Sequence, residues 1–294
     1  MSKIEEALRR ARGERADDHS PEPAPMHERE VEPRPRREAS RGGQLVGISA
    51  AEQIARMREE SVRDRDELAA RRIITKDMDD AQVADAFRHL RTNLFQRTES
   101  RNIVVMVSAV TADGGASFVS LNLAAAIAFD ESATALLVNC NLHDPTLDEL
   151  VQARQAPAPG LTDLLTGEEQ QVERIIHPIG IPRVRLIPAG SKSPSAMEYF
   201  TMPRLRHLLH ELRKRYRERT VILDAPPITE AADARILSQL CDYVLLVVPY
   251  GRVTNVQVAA AAQAVGKDKL IGCVLNNERR MPMLSPRPRA AGWA

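Results

Sequence analysis

The sequence predicts an α/β fold in which helices cover both faces of a doubly wound, mostly parallel sheet. Short apolar runs rich in β-branched residues lack polar alternation, which is typical of strands covered on both faces. Helical patterns separate these runs, and such units form right-handed parallel crossovers. Strands are predicted at 103–109, 135–140, 184–188, 220–224, 243–248 and 270–275. Helices are predicted at 81–97, 117–130, 161–166, 202–217, 231–239 and 255–266.

The chain before residue 81 has a different composition. Residues 1–12 carry a charged helical pattern, which predicts either a short docking helix for a partner or a frayed end. Residues 13–48 are rich in Pro, Glu and Arg and predict a disordered tether, because they bury too little apolar surface to offset the entropy of ordering. Residues 49–80 predict a charged helix or linker. The folded domain is placed at 81–278, and 279–294 is predicted to be a disordered tail.

Composition limits the classes of function. The chain has 294 residues, of which 43% are hydrophobic and 28% charged, with a net charge of +1. This balance favours a packed core and opposes a general nucleic-acid binder. No apolar run approaches the ~20 residues of a membrane span, and the first residues lack a secretory signal, so a cytoplasmic location is expected. Cys140, Cys241 and Cys273 are expected to be reduced core thiols, without zinc-site spacing.

The stretch "VSAVTADGGASFVSLNLA" at 107–124 joins a predicted strand to a predicted helix. A phosphate-binding loop there needs curled backbone N–H groups, a lysine, and a Ser or Thr hydroxyl for Mg²⁺. Two glycines and Ser117 meet two of these needs, whereas Ala116 stands at the lysine position. Losing one charge-assisted contact weakens binding by roughly 10- to 150-fold. Read alone, the stretch is also compatible with a plain strand–helix turn. The candidate nucleotide-binding residues are Thr111, Ala112, Asp113, Gly114, Gly115, Ala116, Ser117 and Phe118.

Further segments in a fixed order carry a family resemblance. They are "LLVNCNLHDPTL" at 136–147, "PGLTDLLTGE" at 159–168, "LIPAGSKSPSAMEYF" at 186–200, "VILDAPPI" at 221–228 and "VLLVVPYGRVTNVQV" at 244–258. Together with the glycine loop, these segments resemble the deviant Walker NTPases of the ParA/MinD class. More specifically, they resemble the bacterial protein-tyrosine kinases of exopolysaccharide and capsule systems, the BY-kinase family. The N-terminal "MSKIEEALRRA" is similar to the start of tyrosine autokinase-like proteins from exosortase-linked clusters.

The resemblance implies a degenerate catalytic site. Family loops end in Gly-Lys-Ser/Thr, and the second lysine of some deviant Walker proteins would fall near Thr111. The two family aspartates after the second strand are replaced by Asn139 and Asn141, whose neutral amides cannot act as bases. Asp224 matches the family carboxylate, and no tyrosine cluster ends the sequence given. No catalytic residue and no cofactor are therefore expected. Weak Mg-ATP binding would place the metal on Ser117 and Asp224.

One oligomerisation motif has a counterpart. Asp85, Arg88 and Arg91 resemble the family's Glu-x-x-Arg-x-x-Arg and lie along one helical face. In the family this face contacts the next subunit of a ring. A solvated, ion-paired helix is the alternative interpretation.

The leading hypothesis is a pseudokinase. It would act at the cytoplasmic side of the inner membrane as a partner of a chain-length determinant or polysaccharide export protein, and of an active kinase paralogue. A second hypothesis is a weak ATPase or autokinase completed by a lysine or arginine supplied in trans. A third is a ParA/MinD-like positioning protein that binds DNA or membrane, which the near-neutral charge opposes.

Overall fold

The computed structural model describes residues 62–78, 81–98, 100–152, 158–191, 196–215 and 218–277, together with Ile54 and Met57. The predictions for 1–12, 13–48 and 279–294 lie outside these residues.

The fold is the predicted doubly wound α/β sheet. Seven strands run in the order β3-β4-β2-β5-β1-β6-β7, and all neighbours are parallel except β3 and β4. The strands are β1 Val104–Ala109, β2 Thr134–Asn139, β3 His177–Pro178, β4 Val184–Ile187, β5 Arg219–Asp224, β6 Tyr243–Pro249 and β7 Leu270–Asn276. The six predicted strands are confirmed. The two-residue β3 was not predicted, because it is too short to produce a pattern.

Helices cover the sheet on both sides. They are α1 Arg65–Ala70, α2 Ala81–Arg97, α3 Ala116–Ala128, α4 Glu149–Gln152, α5 Leu161–Thr166, α6 Ala196–Thr201, α7 Pro203–Arg215, α8 Ala232–Leu240 and α9 Asn255–Val265. Within β1, Val105 and Val107 join the core beneath α2 and α3, whereas Val104 and Met106 join the core beneath α7 and α8. Both faces of the strand are thus buried, which explains its continuous apolar run.

The strand register brings three loops to one edge. Asp224 at the end of β5 pairs with Val107 of β1 and with Asn139 of β2. Because these strands are parallel, the loops that follow them leave the sheet at the same end. Ligands of such folds bind at this carboxyl edge.

The segment 62–78 folds against the domain. Ile73 and Ile74 are buried, and the Ile74 backbone N donates a hydrogen bond of 2.8 Å to Asn122 Oδ1. The buried Arg63 donates from Nε to the Ile179 carbonyl and from Nη2 to the Leu150 carbonyl, at 2.8 Å each. The prediction of a charged helix or linker over 49–80 did not include these contacts. Two adjacent isoleucines among many charged residues do not produce an apolar pattern that would indicate burial.

Two further expectations can be compared with the structure. Among the described residues, no helix is both long enough and apolar enough to span a membrane. Cys140 and Cys241 are buried as expected, but Cys273 is exposed. The expectation for Cys273 is wrong because β7 forms an edge of the sheet, so an apolar run there does not guarantee burial.

Candidate functional site

A cavity of about 700 Å³ opens at the carboxyl edge of the sheet. Its size falls in the range of small-molecule sites. It lies between the loop after β1, the loop after β2 and the start of α8. The lining residues are Ala109, Thr111, Ala112, Asp113, Gly114, Gly115, Ala116, Ser117, Asn141, His143, Asp144, Thr146, Ala225, Pro226, Pro227, Glu230, Ala231, Ala232 and Asp233.

The loop after β1 requires glycine at its end. Gly115 has φ of 89°, in the left-handed region that glycine adopts without strain. A Cβ at this position would lie 2.1 Å from Asn276 Nδ2, which donates a hydrogen bond of 3.0 Å to the Gly114 carbonyl. Ala116 then begins α3 and lines the cavity, so a methyl group occupies the place of the expected lysine.

A carboxylate of the chain already binds this loop. Glu230 Oε1 accepts a hydrogen bond of 3.1 Å from the Ala112 backbone N. Backbone N–H groups of such loops are the donors that hold phosphate oxygens. One of the donors expected for phosphate is therefore used within the chain. Arg252, which is not among the lining residues, donates from Nη1 to the Asp113 carbonyl at 3.2 Å.

The lining is acidic. Four carboxylates, those of Asp113, Asp144, Glu230 and Asp233, face the cavity, and no lysine or arginine is among its described lining residues. Like charges repel strongly where solvent is partly excluded. The lining therefore does not fit a nucleotide polyphosphate.

Asp224 lies next to the cavity but is not among its lining residues. Its side chain is 1% exposed, and its Oδ1 accepts a hydrogen bond of 3.1 Å from Ser120 Oγ. Burial raises the pKa of Asp224 to about 7, and the negative charge of Asp144 raises it by a smaller amount. The hydroxyls of Ser117 and Ser120 act in the opposite direction and lower this pKa. Its Oδ2 is buried and has no hydrogen-bond partner in the described part of the chain.

Asn139 has a structural contact. It is buried, and its Nδ2 donates a hydrogen bond of 2.7 Å to Asp148 Oδ1. The Ala189 backbone N also donates to Asp148 Oδ1, at 2.9 Å, and burial raises the pKa of Asp148. Asn139 Oδ1 accepts a hydrogen bond of 3.2 Å from the Asn141 backbone N. Asn141 lines the cavity, whereas Asn139 does not.

The donor set for a magnesium ion is incomplete. Ser117 lines the cavity, whereas Asp224 does not. No group of three or more His, Cys, Asp or Glu side chains with metal-site geometry occurs among the residues described. Asn139 carries an amide bonded to Asp148, so neither Asn139 nor Asp224 presents a carboxylate in the cavity beside Ser117, although Mg²⁺ prefers carboxylate oxygens.

The remaining candidates lie elsewhere. Phe118 does not line the cavity, and its ring contacts Phe87 edge-on with centroids 5.8 Å apart. Asp85 Oδ1 accepts a hydrogen bond of 2.7 Å from Arg88 Nη1 on α2. Arg91 Nη1 donates to the Ala126 carbonyl at 2.9 Å. The oligomerisation motif thus has partners within the chain.

Sequence reasoning missed Glu230 and Asp233. They follow "VILDAPPI" by two and five residues, and no local motif marks them. Asp233 is 3% exposed, and its Oδ2 lies 3.3 Å from His143 Nε2.

Solved structures define the class of the fold. The kinase domain of Escherichia coli tyrosine kinase ETK matches with a TM-score of 0.61 at 24% identity, covering 83% of this chain and 98% of that domain. The BceF tyrosine kinase domain matches with a TM-score of 0.57 at 27% identity, over 65% of this chain and 76% of that one. The cell division ATPase MinD of Pyrococcus furiosus matches with a TM-score of 0.50 at 20% identity, over 59% of this chain and 71% of its own. The fold is that of the P-loop NTPases.

Sequence comparison identifies the relatives within that class. Tyrosine-protein kinase YwqD of Bacillus subtilis is 27% identical over 199 residues, which are 67% of this chain and 81% of YwqD. Tyrosine-protein kinase Wzc of Salmonella typhi is 29% identical over 196 residues, 66% of this chain and 26% of Wzc. No protein-family model matches the chain. The chain is similar in sequence to bacterial proteins named tyrosine-protein kinase, as the sequence motifs predicted, and it spans about a quarter of the length of Wzc.

Proposed function

We propose that this chain is a catalytically inactive relative of the exopolysaccharide and capsule tyrosine kinases. It acts at the cytoplasmic side of the membrane as a regulatory or assembly partner of a chain-length or export protein. The observation that carries the proposal is the charge of the cavity where the triphosphate would bind: its described lining residues include four carboxylates and no lysine or arginine. Homologues named tyrosine-protein kinase support the cellular setting.

The chemistry of phosphoryl transfer explains why the charge of the cavity lining matters for kinase activity. Phosphoryl transfer depends almost entirely on positioning and on neutralising the charge of the transferred group. At the three corresponding positions this chain has groups that cannot neutralise a phosphate or bind it directly. Ala116 has a methyl group, the Asn139 amide is hydrogen-bonded to Asp148, and the Asp224 carboxylate is buried. A fold that keeps its shape without these charges is suited to binding a partner.

Nucleotide binding tests the proposal. Titration of the full chain with Mg-ATP by calorimetry should give no saturable heat at millimolar nucleotide, and the protein should release no phosphate. Ala116→Lys should bind more tightly than the wild type, by roughly 10- to 150-fold, because it adds a charge-assisted contact. Ala116→Gln lengthens the side chain without adding a charge, so it is the control and should give no saturable heat with Mg-ATP. Micromolar binding or turnover by the wild type would overturn the proposal.

Membrane recruitment tests the partner role. In cells that make the polysaccharide, the protein should be recovered with the membrane fraction. Deletion of the chain-length or export protein should release it into the cytosolic fraction, whereas deletion of an unrelated inner-membrane protein should not. Persistent membrane association after that deletion would contradict the role.

A further inference from the structure

The strand β7 is an open edge of the described sheet. It pairs with β6 on one side and is the last strand in the sheet order. The Tyr250 backbone N donates a hydrogen bond of 2.8 Å to the Asn276 carbonyl, so the backbone groups of Asn276 point to β6. Because these directions alternate along a strand, the N–H and C=O groups of Cys273 and Leu275 point away from the sheet. They are available to a further strand.

The sequence of β7 does not protect this edge. Proteins usually block edge strands with charged residues or proline, and "LIGCVLN" contains neither. Arg97 Nη1 donates a hydrogen bond of 2.8 Å to the Ile271 carbonyl, where the register of β7 shifts, so the open part begins at Gly272. Within that part, Cys273 is exposed and Leu275 is 53% exposed.

The opposite edge of the sheet determines what β7 can pair with. The strand β3 consists only of His177 and Pro178, and proline has no N–H to donate. The β7 of one copy therefore does not find an edge of similar length in the β3 of another copy, so head-to-tail assembly is disfavoured. Pairing of β7 with β7 uses the same strand in both copies and closes about a two-fold axis.

The helix that leads into β7 has an uncharged surface. Residues 253–266 contain no Asp, Glu, Lys or Arg, although these residues make up 28% of the chain. Within α9, Val256 is 78% exposed, and Ala260 and Gln263 are exposed along the same side. Surface helices usually carry charged residues on their outer face, and a depletion of charge is typical of the core of an interface. Two copies of this uncharged surface can meet without electrostatic repulsion.

The exposed side chains of β7 and the helix α9 lie on one face of the sheet. Val274 packs against the core beneath α2 and α3, so Cys273 and Leu275 project from the opposite face. Val258 of α9 packs against the core beneath α7 and α8, which is on that opposite face. A two-fold axis through β7, perpendicular to the sheet, therefore brings α9 of one copy alongside α9 of the other.

We propose that two copies of this chain join through antiparallel β7 strands and pack their α9 helices together. Cys273 of each copy lies opposite Leu275 of the other, because this register pairs the four outward N–H and C=O groups of each strand. The interface is separate from the cavity and from α2, and it does not depend on the proposed function.

Cross-linking of the full chain tests the pairing. Cys140 and Cys241 are buried, so Cys273 is the accessible thiol of the three. In this register the two Cys273 residues are diagonal neighbours, about 7–8 Å apart, within reach of a short bismaleimide. We expect a covalent dimer in the wild type and in Asp85→Lys, and none in Cys273→Ser. Absence of the dimer in the wild type, or its loss in Asp85→Lys, would overturn the proposal.

Lysine variants test the interface without a reagent. Leu275→Lys and Ala260→Lys alter exposed side chains, so the fold should persist, and each places like charges near the two-fold axis. In an Asp85→Lys background, each should raise the dissociation constant of the dimer by roughly 100-fold in sedimentation equilibrium. Ala70→Lys, at an exposed position that ends α1, is the control and should leave it unchanged. Equal weakening by the control, or none by either variant, would overturn the interface.

Reaction with N-ethylmaleimide separates the other possible occupants of β7. A monomer whose Cys273 is unreactive would show that another part of the chain covers the strand, and a monomer whose Cys273 reacts rapidly would show an open edge. Either result would overturn the pairing and leave the proposed function standing, since neither measurement involves nucleotide. Micromolar Mg-ATP binding, conversely, would overturn the proposed function and leave the pairing standing.

Discussion

Asp224 and Asn139 lie opposite each other in neighbouring strands, and their surroundings give them different roles. Asp224 keeps a carboxylate in an environment that disfavours its charge, with one oxygen bound to Ser120. Asn139 is neutral and donates to the buried Asp148. The amide at 139 therefore donates a hydrogen bond to a neighbouring buried carboxylate, which gives the asparagine a structural role.

The pH dependence of stability should report Asp224. Its pKa is raised from 3.8 to about 7 by burial, so the folded state holds a proton that the unfolded state releases. The free energy of unfolding should therefore fall as the pH rises from about 4 to about 7, by at most about 4 kcal/mol. Asp224→Asn should remove this pH dependence. The measurement is the free energy of unfolding in urea, for the wild type and the variant, at pH 5 and at pH 8. Identical pH profiles for variant and wild type would contradict it.

Restoring the family aspartate at 139 should harm the fold. Asn139→Asp places a second carboxylate against Asp148 and removes the amide donor. We expect a loss of roughly 1–3 kcal/mol in the free energy of unfolding, larger at pH 8 than at pH 5, because protonation relieves the repulsion. Asn139→Asp/Asp148→Asn restores one donor and one carboxylate, and it should recover most of the loss. A single variant as stable as the wild type would contradict this interpretation.

At the scale of elements, the segment 62–78 is held by specific contacts. The two hydrogen bonds that Arg63 donates to the Ile179 and Leu150 carbonyls connect this segment to the residue after β3 and to α4, far along the chain. Such contacts leave no local sequence signal. The strands and long helices were predictable because burial on both faces and helical periodicity are local patterns. The helix α1 lies within the charged helix or linker predicted over 49–80, whereas the two-residue β3 depends on its pairing with β4.

Arg63→Lys should loosen this segment. Lysine retains the charge but cannot reproduce the planar fork that reaches two carbonyls. We expect a loss of roughly 1–3 kcal/mol, with faster amide hydrogen exchange across 62–78. Arg71→Lys, at an exposed arginine of the same segment, should leave both quantities unchanged. Equal exchange rates in Arg63→Lys and wild type would show that the contacts do not hold the segment.

At the scale of the whole molecule, self-association through α2 stays a prediction. Asp85 is exposed and forms an ion pair with Arg88 on the same helix, so a reversed charge there disturbs few internal contacts. If this face joins subunits, Asp85→Lys should lower the sedimentation coefficient. Ala86→Lys is the control, because Ala86 is exposed and lies about 100° around the helix from Asp85, on the side away from Arg88 and Arg91. Identical sedimentation of wild type and Asp85→Lys would exclude this interface.

The candidate site was predictable only in part. The loop residues from Thr111 to Ser117 were located because strand, glycines and helix are contiguous in the sequence. The acidic character of the whole cavity was not predicted, since Asp113, Asp144 and Glu230 belong to three separate loops and Asp233 lies in α8. Phe118 was among the candidate nucleotide-binding residues because it follows Ser117 in the sequence. In α3 its ring contacts Phe87 and does not line the cavity.

The hydrogen bond from Ala112 to Glu230 has a consequence for the cell. In a nucleotide-driven switch, the order of this loop follows the ratio of ATP to ADP. Here the loop donates a hydrogen bond to a carboxylate of the same chain, and this contact does not require a bound nucleotide. If the proposed function holds, we expect the loop to keep one conformation in starved and growing cells alike, so that the protein presents the same surface to a partner.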